Sequence, residues 1–254
     1  MDSAEHREQS RSTVWDATRP GLTILIPTYN EEGSIADCIG RLPAMPWSTE
    51  ILVVDNSSDR TPEIVRSMPG VRLEHYRPAQ GKGHAIWHGM RAARGNVIVI
   101  CDVDMDPTEL PPVVKPIFEG QADFVNGSRM ILPMERGAMS LTHRVGNTFF
   151  AVAMSILTCQ RFTDVYCGFK AWRADLLPAD QFHENTWPDL ELLFNARRSG
   201  LRIVEAPVRY TKRKFGTSKM HTWRHGWNLL CMMLRLTFRG DGQSGEQTAG
   251  PHNA

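Results

Sequence analysis

Residues 96–106 read NVIVICDVDMD: an apolar run closing at Cys101, then Asp102, Asp104 and Asp106 on alternate positions. A short apolar run bounded by polar residues reads as a buried strand. Charged side chains seldom gather at the end of a buried element without a partner. The same arrangement occurs twice upstream, where LTILI (Leu22 to Ile26) is closed by PTYNEE and EILVV (Glu50 to Val54) by DNSSDRT. Between these runs, Ile35, Cys38, Ile39 and Leu42 share one face of a helix expected over Glu31 to Leu42. A second helix is expected from about Asp59 to Met68, and QGKG opens a third that runs to Arg94. Val71 to Tyr76 alternates and reads as another strand. Strands separated by single helices predict right-handed crossovers and a mostly parallel sheet. Such sheets bind ligands outside the carboxyl ends of their strands. The three polar clusters are therefore expected to converge on one rim.

Farther along, Ala122 to Ser128 reads as a strand and Leu141 to Leu157 as a helix. The segment DVYCGFKAWR follows, then a helix from Trp187 to Ser199 and a strand from Arg202 to Ala206. A basic loop, YTKRKFGTSKM, and an amphipathic helix to about Phe238 complete the pattern. No repeat or linker interrupts it. The expectation is an α/β catalytic domain over residues 21–219, a flexible segment 1–20, an amphipathic helix 220–239 and a disordered tail 240–254.

Of 254 residues, 41% are hydrophobic and 22% charged, the composition of an ordinary globular protein. A net charge of +1 supplies no long-range field for nucleic acid, so none is expected as a partner. The five cysteines (Cys38, Cys101, Cys159, Cys167 and Cys231) are scattered without a C-x-x-C pair and read as reduced thiols. The first twenty residues lack the apolar core of a signal peptide. The longest apolar stretches, FFAVAMSILTC and WNLLCMML, fall short of the roughly 20 residues that cross a bilayer. The expected location is cytoplasmic, with peripheral contact at the cytoplasmic membrane face as a further expectation.

Alternate carboxylates leaving a strand can reach one hard cation through oxygen, as Mg²⁺ or Mn²⁺ prefers. Magnesium binds through one or two carboxylates and completes its shell with substrate phosphates. Asp102 and Asp104 read as such a pair. Asp106, followed by Pro107, reads equally as a further ligand or as a helix cap.

Taken in order, ILIPTYNEEGSI, EILVVDNSSDRT, GKGHAIWHGMRAARGNVIVICDVDMDP, NGSR and GLRIVEAPVRYTKRKFGTSK resemble the inverting family 2 glycosyltransferases, in their dolichol-phosphate mannose synthase-like branch. The resemblance spans about Leu22 to Lys219 and rests on the ordered set. It implies a nucleotide-diphospho-sugar transferase (GT-A) fold with a mostly parallel central sheet. It also implies transfer of a sugar from a nucleoside diphosphate (GDP-mannose or a UDP-sugar) to a polyprenyl or dolichyl phosphate, with Mg²⁺ or Mn²⁺. By the same resemblance, Pro27, Tyr29 and Glu31 border the nucleoside, Asp55 recognises the base, and Asp102 and Asp104 hold the metal and diphosphate, with Asp106 near a further ligand. Arg129 contacts the acceptor phosphate, and Arg213 and Lys219 belong to a basic loop that closes over the site; Asp104, Arg129 and Arg213 are the catalytic candidates.

The chain departs from the pattern where the usual V-D-D carries Asn56 second, and it lacks the Q-x-x-R-W motif of processive synthases. Lys82, at the start of a helix, reads either as a donor-phosphate ligand or as a solvated turn lysine. Asp164, Asp189 and Glu191 read either as a general base or as structural ion-pair partners. The final helix, with Trp223, Trp227, Leu230, Met233 and Leu234, reads either as core packing or as a membrane-interface element. The alternatives to lipid-phosphate transfer are a soluble glycosyltransferase acting on a hydroxyl and a non-catalytic nucleotide-sugar binder.

Overall fold

In the computed structural model the described residues are 18–19, 21–78, 80–182, 185, 188–211, 232–233 and 235. Arg213, Lys219 and the rest of the basic loop beyond Thr211 lie outside them, as do residues 1–17 and the expected tail 240–254. Seven strands alternate with helices in the order β1 (Leu22–Thr28), α1 (Ile35–Gly40), β2 (Thr49–Asp55), α2 (Thr61–Arg66), β3 (Val71–His75), α3 (Lys82–Ala92), β4 (Val97–Cys101), α4 (Pro111–Phe118), β5 (Phe124–Ser128), α5 (Leu141–Thr158), β6 (Phe169–Arg173), α6 (Pro188–Arg198) and β7 (Ile203–Pro207). They form one sheet in the order β3-β2-β1-β4-β6-β5-β7.

The first four strands are mutually parallel, as their intervening helices require. Their register aligns Thr28 with Asp55, and Asp55 with His75. The ends of neighbouring strands thus share one rim. The apolar runs are continuous because both faces of the sheet are covered. Leu25, Leu52, Ile98 and Ile100 face the layer of α3, α5 and α6. Ile24, Ile26, Val53, Val97 and Val99 face the layer of α1, α2 and α4. Met232 and Met233, in the segment expected to form the final helix, are helical and buried with the first layer.

β6 was not expected as a strand. It runs antiparallel between β4 and β5, pairing Cys101 with Phe169 and Phe124 with Trp172. Lys170 and Arg173 interrupt its apolar pattern, yet Lys170 is fully buried. Its ammonium donates to the carbonyls of Val165 and Cys167 and to Asp189, at 3.5, 2.7 and 3.1 Å. A charge satisfied this fully can sit inside a strand, and periodicity alone does not reveal it.

Candidate active site at the strand-end rim

The rim begins with the carboxylate of Asp55, fully buried at the end of β2. Oδ1 accepts hydrogen bonds from Thr28 Oγ1 at 2.8 Å and from Ser57 Oγ. Oδ2 meets the backbone N–H of Ser57 at 3.2 Å and His75 Nδ1 at 2.8 Å. A carboxylate has about four acceptor positions, and Asp55 spends them on β1, β3 and its own turn. Asp55 thereby ties three strand ends together. The next residue, Asn56, lines a cavity of about 500 Å³ with Tyr29, Ser58, Arg77 and Pro78. Asn56 Nδ2 donates to Tyr76 Oη at 3.3 Å, and its buried Oδ1 has no partner among the described residues. Burial pushes the Tyr76 hydroxyl up to about 12, so it stays protonated at neutral pH. Whichever way the amide is turned, one of its polar atoms is left for a ligand.

The loops after β1 and β2 are laced together. Asn30 donates its N–H to Ser57 Oγ at 2.7 Å, and its side chain accepts from the Ser58 N–H at 2.9 Å. Glu31 donates its N–H to Thr61 Oγ1 at 2.9 Å, and its carboxylate accepts from Ser34. Tyr29 is half exposed over the cavity, and Pro27 precedes it at the end of β1. Glu31 thus braces the loop, whereas Tyr29 faces the open space.

The carboxylate pair leaves β4 two strands from Asp55. Asp104 is exposed, and Asp102 is partly buried. Lys82 Nζ donates to Asp102 at 2.7 Å and to Asp189, near the start of α6, at 3.3 Å. Lys170 holds the other oxygen of Asp189. Burial alone would lower the Lys82 pKa, but Asp102 and Asp189 outweigh it and raise it. Burial raises the Asp102 pKa; Lys82 opposes this, while Asp104 and Asp189 add to it. Burial would also raise Asp189, but Lys170 and Lys82 hold it below the ordinary carboxylate range. The exposed Asp104 stands two residues beyond Asp102, at the edge of this cluster. Gly168 closes the back of this cluster, since a Cβ there would lie 2.4 Å from Asp102 Oδ2.

Lys82 is therefore neither a solvated lysine nor part of a free helix N-terminus. The first amides of α3 are already used: the Gly83 N–H donates to the Asn185 carbonyl at 2.8 Å and the His84 N–H to Asn185 Oδ1 at 3.0 Å. Asp106 does a separate task. Its side chain caps the turn at Pro107–Glu109 by accepting from the Thr108 N–H at 3.1 Å, and it pairs with Arg41 at 2.8 Å. This is the capping alternative.

Arg129 leaves the end of β5 and is held by Asp164. Nε and Nη2 donate to the two carboxylate oxygens at 2.7 and 3.0 Å, and the Arg129 N–H adds a third bond at 3.1 Å. The guanidinium also lies 5.1 Å from the Tyr210 ring. Burial would raise the Asp164 pKa, but Arg129 holds it below the usual range. The pair is buried and neutral. It fixes the loop between α5 and β6 against β5. The sequence reading did not single out Lys170 or Asn185. Lys170 left a trace, a lysine flanked by Phe169 and Ala171, and Asn185 left none.

Three comparisons bear on this geometry. The sequence model of the family described as Glycosyl transferase family 2 matches residues 23–178. A dolichyl-phosphate hexose transferase of Haloferax volcanii is 33% identical over 207 residues, covering 81% of this chain and 89% of that one. An undecaprenyl-phosphate mannosyltransferase of Micrococcus luteus is 32% identical over 213 residues, covering 78% and 86%. The low-salt glycan biosynthesis hexosyltransferase Agl6 of Haloferax volcanii is 30% identical over 223 residues; the match covers 85% of this chain but only about half, 53%, of that longer protein. Among solved structures, glucosyl-3-phosphoglycerate synthase from Mycobacterium tuberculosis, in complex with uridine diphosphate, superposes with a TM-score of 0.66 at 18% identity, covering 87% of this chain and 82% of that one. The same synthase in complex with Mn²⁺, uridine diphosphate and glucosyl-3-phosphoglycerate gives 0.65 at 21%, covering 86% and 80%. At these identities the structural likeness establishes the GT-A fold.

Proposed function

We propose a donor, a metal and an acceptor for this chain, which belongs to glycosyl transferase family 2 and is a glycosyltransferase. The donor is a nucleoside diphosphate sugar, GDP-mannose or a UDP-sugar. Its base enters the cavity beside Asn56 and Tyr29, and its diphosphate meets Asp102 and Asp104. The observation that carries this reading is the placement of both features on one rim. β1 alone separates β2 from β4, so the cavity side and the carboxylate pair stand about 10 Å apart by strand spacing. Pro27, Glu31 and Asp55 serve the donor side by bracing its loops.

The residues present fit a divalent cation. Two carboxylates on alternate positions, one of them exposed, are what Mg²⁺ or Mn²⁺ takes from a protein when substrate phosphates supply the rest. Among the described residues no third His, Cys, Asp or Glu joins them, so the diphosphate is required to complete the shell. When bound, such an ion offsets the charge that grows on the departing nucleoside diphosphate. Lys82 orients Asp102, and Lys170 orients Asp189. Support for the metal also comes from the Mn²⁺ and uridine diphosphate complexes of the structural relative.

The acceptor is a polyprenyl phosphate, in keeping with the names of the two relatives at 33% and 32% identity. Its phosphate oxygen attacks the anomeric carbon on the face opposite the diphosphate. The new carbon–oxygen bond forms as the bond to the diphosphate breaks, which inverts the centre. A phosphate monoester is already anionic near neutral pH, so no base is needed. Because Arg129 is neutralised by Asp164, we assign attraction of the acceptor mainly to the basic loop with Arg213 and Lys219. A second reading, transfer to a hydroxyl of a small molecule or glycan, is favoured by Asp189, a carboxylate held ionised beside the rim, as a general base must be.

The test is to incubate the chain with radiolabelled GDP- and UDP-sugars, Mn²⁺ or Mg²⁺, and polyprenyl phosphate. Label is expected in an organic-extractable product only with metal and the lipid phosphate. Label appearing in water-soluble glycoside with a hydroxyl acceptor, and none in lipid, would replace the first reading with the second.

A further inference from the structure

The helix α5 is apolar on two opposite faces. Phe150, Ala151 and Met154 enter the core. Leu141, Val145, Phe149, Val152 and Ile156 are 76%, 61%, 57%, 54% and 71% exposed. At 3.6 residues per turn these five fall within an arc of about 80° on the side away from the core. Single exposed apolar side chains are ordinary, but a continuous stripe marks a contact surface. Beside the stripe runs a groove of about 600 Å³, lined by Met130, Ala151, Phe162 and Thr163 among others.

The charge around the stripe is one-sided. Between Glu135 and Asp164 the chain has no acidic residue but carries Arg136, Arg144 and Arg161, all exposed. In a chain of net charge +1 this is a concentrated run of positive charge. A second copy of the chain would meet it with the same three arginines and no acid from this segment, a like-charge contact that disfavours association. A lipid surface supplies both an apolar layer and anions. No described helix is long and apolar enough to cross a membrane. At 18 residues α5 is about 27 Å long, and its opposite side is already packed on the protein.

We propose that the exposed face of α5 lies in the headgroup boundary of an anionic membrane, with Arg136, Arg144 and Arg161 at its edges. The inference rests on the polyprenyl phosphate reading for its purpose. Met130 and Thr163, which line the groove, are chain neighbours of Arg129 and Asp164 beyond the end of β5, so a membrane against α5 brings lipid-borne phosphates towards the strand-end rim. The face that meets the lipid is then built into the catalytic domain.

The experiment is co-sedimentation of the full chain with vesicles of phosphatidylcholine, alone or mixed with phosphatidylglycerol, all without polyprenyl phosphate. Binding is expected to the mixed vesicles and should weaken as salt rises. The variant Leu141→Gln, Val145→Gln, Phe149→Gln should bind at least tenfold more weakly. Those positions are more than half exposed, so its melting curve should match wild type. In parallel, Val145→Trp should show a larger blue shift of fluorescence on mixed vesicles than wild type, whose seven tryptophans set the baseline, a readout that survives if the triple variant does not fold. Wild type that ignores mixed vesicles at low salt would overturn the proposal, as would undiminished binding by a folded triple variant. A dimer in sedimentation velocity that the triple variant dissociates would also overturn it, in favour of self-association. Stripe-dependent vesicle binding without transfer to polyprenyl phosphate would uphold the docking surface and remove only the acceptor assignment.

Discussion

The parallel half of the sheet and the mixed half beyond it use charge in opposite ways. In β1, β2 and β4 the buried positions are apolar almost throughout, and carboxylates appear where the strands end. In and beside β5, β6 and β7, buried charged groups are matched by partners: Arg129 with Asp164, Lys170 with Asp189, and Asp123 with the exposed Arg202. The first arrangement leaves Asp104 exposed at the rim. The second leaves neutral pairs that hold loops in place. On the proposed reading the exposed Asp104 after β4 is ligand-directed, whereas the enclosed Asp55 and Arg129 are structural, although such residues look alike one at a time.

Breaking a structural pair should have the largest effect. Arg129→Ala strands Asp164 without its partner in the interior, a change that costs about 3–5 kcal/mol of stability in comparable buried pairs. The pH dependence checks the cause. In wild type the depressed Asp164 pKa contributes stability that is complete above the unfolded carboxylate value and lost as pH falls through the folded one. In the variant, burial without Arg129 raises that pKa, so its penalty is complete above the raised value and is relieved as pH falls. The melting temperatures of the two proteins should converge between neutral and mildly acidic pH. A constant gap would mean that the guanidinium acts through packing on Tyr210 instead.

The ligand-directed half should respond in activity, with little change in stability. Asp104→Asn is expected to lower transfer by about 10²–10³-fold, as loss of one electrostatic contact to a transition state does, while an exposed substitution moves stability by no more than about 0.5 kcal/mol. Turnover and melting temperature measured on one preparation separate the two. A variant that melts early and loses activity in proportion would place Asp104 with the structural residues.

Asp106 gives the smallest expected effect and sharpens the boundary. As a cap and a partner of Arg41 it should cost about 1 kcal/mol on substitution to Ala, with kcat and metal dependence unchanged. A large loss of kcat that excess metal partly restores would return Asp106 to the ligand set.

The legibility of the two halves follows from the same contrast. Where an element is defined by its neighbours in sequence, the pattern declares it: LTILI and NVIVIC are strands, and the clusters after them form the rim. Those residues answer to local periodicity and to the topology of a parallel sheet. β6 escaped because Lys170 depends on Asp189 and on carbonyls outside the strand, and a long-range ion pair has no periodicity. Asp55 stands at the rim, as the cluster after EILVV implies, but its partners Thr28 and His75 come from adjacent strands, so its bracing contacts become visible only with the register. The exposed stripe on α5 was hidden because periodicity shows that a helix is apolar, not which of two apolar faces is covered.

The most direct test of the central claim is calorimetric titration of the wild-type chain and of Asp104→Asn with uridine and guanosine diphosphates, each with and without Mn²⁺. If the rim of the parallel half holds a metal-bound diphosphate, wild type should bind one of the two nucleotides at least tenfold more tightly with Mn²⁺, and Asp104→Asn should lose that gain while keeping its metal-free affinity. Equal affinity with and without metal in wild type, or an undiminished gain in the variant, would contradict it.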